Sequence, residues 1–196
     1  MELVAIKIKH GEEVKQPKLF IWMSLASAVG LVSAFWQLME KIAILKDKDI
    51  ALSCNINDVF SCSNVLNAPQ SSVFGPPNSV IGIAMFTFFL AIGIVGLTGS
   101  KLANKLALVV QGLALFMLGF TIWFLFQSTY RIQSICIFCL FIGTGVLIIN
   151  AVMLRHNLSL LPFKRLLTRL VKRGADLFIW ALIWLLAAFL MYLKFS

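Results

Sequence analysis

The sequence predicts an all-α integral membrane protein, and three observations carry that prediction. Of its 196 residues, 60% are hydrophobic and only 13% are charged, where a soluble domain carries about 25% charged residues. Mean hydropathy is +0.94, and a chain this short cannot hide that much apolar surface in one core. The apolar residues also gather into five continuous runs long enough to cross a bilayer as helices. None of the runs shows the polar–apolar alternation over about ten residues that marks a membrane β-barrel strand.

The first run, Leu19–Met39, is about 31 Å long as a helix, which matches the ~30 Å hydrocarbon layer. It is too long, and its polar leader too extended, for a cleaved signal peptide. The second, third and fourth runs are Ser79–Leu97, Leu102–Gln127 and Ile135–Leu154. The fifth, Leu177–Leu193, sits at the short limit for a span.

The net charge of +9 could signal nucleic-acid binding in a soluble chain. Here the charges lie between apolar runs, so they read as topology signals and no nucleic-acid partner is expected. Twelve of the basic residues fall in the N-terminal segment (Lys7, Lys9, Lys15, Lys18), the loop after the second run (Lys101, Lys105) and the loop after the fourth (Arg155, Lys164, Arg165, Arg169, Lys172, Arg173). The other side holds five: Lys41, Lys46, Lys48, Arg131 and Lys194. The positive-inside rule then predicts a cytoplasmic N-terminus and a multi-pass protein of the inner (plasma) membrane. The expected organisation is a cytoplasmic segment 1–18, a four-helix bundle 19–154 with an outer loop 40–78, a basic cytoplasmic loop 155–176, and a final segment 177–196 holding the fifth helix.

All four cysteines fall on the predicted outer side, where disulfides form and persist. Cys54 and Cys62 lie in the loop "IALSCNINDVFSCSNVLNAPQSSVFGPPNS"; Cys136 and Cys139 open the fourth run in "SICIFCLFIG". Asn57 or Asp58 is placed to cap a short helix through "VFSCSNVL", with Val59, Cys62, Val65 and Leu66 on one face. Pro69 and the Gly75-Pro76-Pro77 turn then lead the chain into the second span.

Three chemistries fit four such cysteines. A zinc site takes four thiolates, but its usual framework pairs two short spacings, and one spacing here is long. A structural staple would use the loop pair and leave Cys136 and Cys139 as small buried hydrophobes. A redox relay needs two pairs in reach of one another, one exposed and one beside the final acceptor. Cys-x-x-Cys at a helix start near Gln133 or Ser134 suits a relay, because the sulfurs come within bridging range and the unpaired N–H groups there favour a thiolate. For a dithiol embedded in the membrane, a lipid-soluble quinone beside Cys139 is the natural acceptor. His10 and His156 lie outside the runs and read as loop residues, so no haem site is expected. Asn78, directly after Pro-Pro at the outer end of the second span, is placed either to cap that helix or to donate an amide N–H to a quinone carbonyl.

Taken in order, "CNINDVFSC" (54–62), "NSVIG" (78–82) and "CIFC" (136–139) resemble the vitamin K epoxide reductase (VKOR) family over about residues 19–154. The resemblance implies a four-helix bundle around a quinone, of the menaquinone, ubiquinone or vitamin K type, capped by the outer loop. It implies that Cys139 faces the quinone, that Cys136 exchanges with Cys62, and that Cys54 meets a partner. In bacterial members the partner is an extracytoplasmic thioredoxin-fold, DsbA-like oxidase; animal members reduce vitamin K or its epoxide. Vertebrate enzymes carry a Tyr where this chain has Gly143 and a hydroxyl residue where it has Ala68. The departures favour a bacterial-type thiol:quinone oxidoreductase. The alternatives are a vitamin K (epoxide) reductase and a non-enzymatic, disulfide-stapled membrane protein.

Overall fold

The structure is a computed structural model that describes residues 17–47, 50, 52–57, 59–100, 102–158, 160, 171 and 175–195. Lys7, Lys9, Lys15, His10, Lys48, Asp58, Lys101 and nearly all of the basic stretch beyond residue 160 lie outside the described residues.

Among the described residues six α-helices follow one another: α1 Pro17–Lys46, α2 Cys62–Asn67, α3 Asn78–Leu97, α4 Asn104–Gln127, α5 Ile137–His156 and α6 Ala175–Phe195. A 3-10 turn, Pro69–Ser72, follows α2, and a π-helical turn, Ser128–Ile132, ends α4. Among the described residues, four segments are long and apolar enough to cross a membrane: Lys18–Lys46, Asn78–Leu97, Asn104–Ile132 and Ile137–His156. α6 adds 21 residues rich in Leu, Ala and Trp and touches α5. The sole β pairing among the described residues is an isolated bridge between Phe60 and Ile135.

α1 is the hub and packs on both α3 and α5, while α4 packs on α5. It runs seven residues past the apolar run 19–39 because "EKIAILK" keeps good helix formers, and Glu40 and Lys41 there find partners inside the protein. Between helices in lipid the driving force is close packing rather than water exclusion. Gly30 of α1 lets the fully buried Phe86 of α3 lie flat on its backbone: a Cβ there would stand 2.3 Å from Phe86 Cε1. Replacing Gly30 by alanine is therefore expected to destabilise the bundle by about 1–3 kcal/mol. Thermal unfolding of the purified variant measures this, and an unchanged midpoint would show that Phe86 can yield.

Polar ties add register. Asn150, wholly buried in α5, donates to Ala114 O of α4 at 2.9 Å and to Val146 O at 2.8 Å. Just beyond α5, Asn157 donates to Ala107 O at 3.0 Å. His156 packs edge-on against Phe20 with ring centroids 5.2 Å apart, which fixes the far end of α5 against α1.

Candidate active site

The cysteines meet where α1 ends and α3 and α5 begin. Cys54 and Cys62 form a disulfide, and Cys136 and Cys139 are free and buried. All four belong to one apolar cluster with Ile44, Leu52, Val65, Leu66, Phe124 and Ile135's neighbours Ile132 and Ile137. The Cys62 and Cys136 sulfurs, 74 positions apart in sequence, are 3.1 Å from one another.

Local chain geometry builds that contact. The short helix starts at Cys62 and not earlier, and its cap is Ser61, whose Oγ accepts the Asn64 N–H at 3.4 Å. Asn57, expected to cap, instead folds an Asx turn and accepts the N–H groups of Val59 (3.0 Å) and Phe60 (2.7 Å). That turn pushes the helix start three residues on, from Val59 to Cys62, and puts Cys62 in its first turn. The expected apolar face holds in part: Cys62, Val65 and Leu66 are buried, while Val59 is half-buried ahead of the helix.

The second pair also departs from expectation. α5 starts at Ile137 rather than near Gln133 or Ser134. Gln133 ends the π-helical turn in the left-handed region (φ 58°), and the Ser128 hydroxyl bonds Ser134 O. Ile135 is extended and donates its N–H to Val59 O at 2.7 Å, which docks the loop onto this segment. Cys136 therefore stands at the N-cap with extended backbone, and its carbonyl accepts the Cys139 N–H at 3.0 Å. Both cysteines still share one helix start, and Cys136 is turned outward to the loop.

The C-terminal end of α1 grips the loop on both arms. Glu40 accepts a hydrogen bond from Ser53 Oγ, next to Cys54, and one from Trp36 Nε1 at 3.3 Å. Lys41 donates its ammonium to Leu66 O, on the helix that starts with Cys62. Neither residue stood out in the sequence as part of a site, nor did Gln37. Gln37 is buried one turn inward on the same helix face, and its Nε2 lies 3.2 Å from Cys139 Sγ and 3.8 Å from Cys136 Sγ.

Beneath the loop, Cys139 lines a cavity that is partly open to the surroundings. Its walls are mostly aromatic and aliphatic, among them Phe74, Phe116, Met117, Phe120, Phe124 and Leu125, with a few polar side chains such as Gln37, Asn78 and Thr121. That lining is typical of a site for an apolar small molecule. Asn78 is the first residue of α3 and not its cap, a place taken by Pro77. Its Oδ1 accepts the Val73 N–H (3.2 Å) and its Nδ2 donates to Gln70 O (2.7 Å). These bonds fix the amide at the cavity wall and leave a second N–H to offer.

A membrane bundle, a disulfide touching a second cysteine pair, and an apolar cavity against that pair together make the equipment of a membrane thiol–disulfide oxidoreductase. Residues 21–155 match the model of the Vitamin K epoxide reductase family, and the chain belongs to that family. Its members are oxidoreductases that act on thiols and quinones, and so is this protein. No curated protein matches the chain.

Proposed function

We propose that the protein oxidises an extracytoplasmic thioredoxin-fold, DsbA-like partner and delivers the electrons to a membrane quinone, which supports disulfide formation outside the cytoplasm. The partner's dithiol reduces Cys54–Cys62 by exchange at Cys54. The Cys62 thiolate then attacks Cys136 of the Cys136–Cys139 disulfide, and Cys139 leaves as a thiolate. Cys54 resolves the Cys62–Cys136 bond, which leaves the inner pair as a dithiol and the loop pair as a disulfide. A quinone, when bound, takes up two electrons and two protons and so returns the inner pair to a disulfide.

The observation that carries this reading is the 3.1 Å contact between Cys62 and Cys136, since exchange requires one sulfur to reach the other directly. The cavity beside Cys139 supports the choice of a quinone: it would accept the ring and isoprenoid start among Phe116, Phe120 and Phe124, with the free Asn78 N–H toward a carbonyl. The charge pattern supports an outer location for the site and a cytoplasmic N-terminus.

The test uses purified protein in lipid nanodiscs with a dithiol donor and a short-chain quinone. One quinone should be reduced per dithiol oxidised. Asn78→Leu should raise the quinone KM about tenfold, as expected for one lost hydrogen bond, with a smaller effect on the dithiol. An unchanged KM would remove Asn78 from the quinone site.

A further inference from the structure

We infer that Gln37 is a catalytic residue of the exchange, the hydrogen-bond donor that stabilises the Cys139 thiolate released when Cys62 attacks Cys136. The inference rests on the relay proposed above.

The bond changes define where charge appears. A bond forms between Cys62 and Cys136, the Cys136–Cys139 bond breaks, and the electron pair leaves on Cys139 Sγ. Cys139 is only 7% exposed and lies inside an apolar cluster. A bare anion there is costly, and the step is slow and uphill unless a donor waits at the sulfur. Among the described residues the side-chain amide bonded to Cys139 Sγ is that of Gln37, at 3.2 Å. The same nitrogen stands 3.8 Å from Cys136 Sγ, which is the next sulfur to carry charge when Cys54 resolves the mixed disulfide.

The charged neighbours are committed elsewhere. The Lys41 ammonium is held by Leu66 O, and the Glu40 carboxylate by Ser53 and Trp36. A neutral amide also suits a site that is discharged in every cycle. A buried lysine would be left as an uncompensated cation once the disulfide re-forms, whereas glutamine carries no such charge. A thiol or disulfide sulfur is a weak acceptor, and a thiolate is a strong one. The Gln37 amide thus gains most at the moment the thiolate forms, which is what transition-state stabilisation requires.

The chain allows a direct measurement. In a Cys54→Ala protein, Cys62 and the Cys136–Cys139 disulfide equilibrate with the Cys62–Cys136 mixed disulfide plus the Cys139 thiolate. Rapid acid quench, alkylation and mass spectrometry give the ratio. Adding Gln37→Met, which keeps the reach and volume but removes the N–H, should lower the mixed-disulfide fraction about tenfold, and Gln37→Asn should restore part of it. The same Gln37→Met change in a protein carrying both Cys54→Ala and Cys139→Ala, where neither Cys139 nor Cys136 is released as a thiolate by exchange, should leave the oxidatively trapped Cys62–Cys136 yield unchanged. Equal losses in both backgrounds would mean that Gln37 only holds the cap in place, and no loss in either would mean that it does nothing for the thiolate; each result overturns the inference. Absence of any Cys62–Cys136 bond with Gln37 intact would overturn the relay itself.

Discussion

Cys139→Ala is expected to abolish quinone reduction with every thiol donor, protein or small molecule. The reason is positional. Of the four cysteines, Cys139 alone lines the apolar cavity, whereas Cys136 is turned toward the loop and is fully buried against Cys62. Without Cys139 the inner pair cannot form its disulfide, so no two-electron carrier remains next to the acceptor. The loss should exceed a thousandfold, the order found when a covalent catalytic group is removed. Protein level and thermal midpoint should change little, because a cysteine-to-alanine change at a small buried site costs roughly 1 kcal/mol. Retained turnover with dithiothreitol would show that electrons reach the quinone without this sulfur.

Cys54→Ala should split the donors. The protein donor should lose nearly all activity, because its mixed disulfide forms at Cys54 and no other loop sulfur can take that role while Cys62 faces Cys136. A small dithiol should keep a sizeable share, since it can reduce the inner pair without the loop shuttle. Cys54 is only 3% exposed, whereas the neighbouring Asn55, Ile56 and Asn57 are exposed. A protein donor therefore has to lift the 52–60 segment, which is held by the Ile135–Val59 hydrogen bond and the Glu40–Ser53 bond. Steady-state rates with the two donor types, measured on one preparation, check the split; equal loss with both would argue against a shuttle.

The helices and the ordered cysteines were legible in the sequence because each rests on a strong local signal. Continuous apolar runs mark spans, and Cys-x7-Cys with a later Cys-x-x-Cys marks two pairs. Element ends were less legible. Ser61, Asn57 and Asp58 are all competent caps by residue type, and the choice of Ser61 depends on the docking of Val59 and Phe60 against Ile135, a contact across more than seventy residues. The left-handed Gln133 that delays α5 follows from the π-helical turn before it, which no residue type announces.

Gln37 was missed for a related reason. A lone amide in an apolar run looks like Asn150, which serves register in this same bundle. The signal that was available is the cluster: Gln37, Glu40 and Lys41 share one face at the end of the first helix, on the same predicted side as all four cysteines. Three polar residues on one face of a span are expensive in lipid and call for partners inside the protein. Those partners are Cys139, Ser53 and Leu66.

The central claim is that electrons cross from the loop to the bundle through Cys62 and Cys136. Its most direct test is a mass-spectrometric map of cysteine pairing in a protein carrying both Cys54→Ala and Cys139→Ala, which has no sulfur left to resolve the bond, after exposure to a mild oxidant in native membranes. The account predicts an intramolecular Cys62–Cys136 disulfide as the dominant species. A protein in which Cys62 and Cys136 are both alkylated under every condition would contradict it.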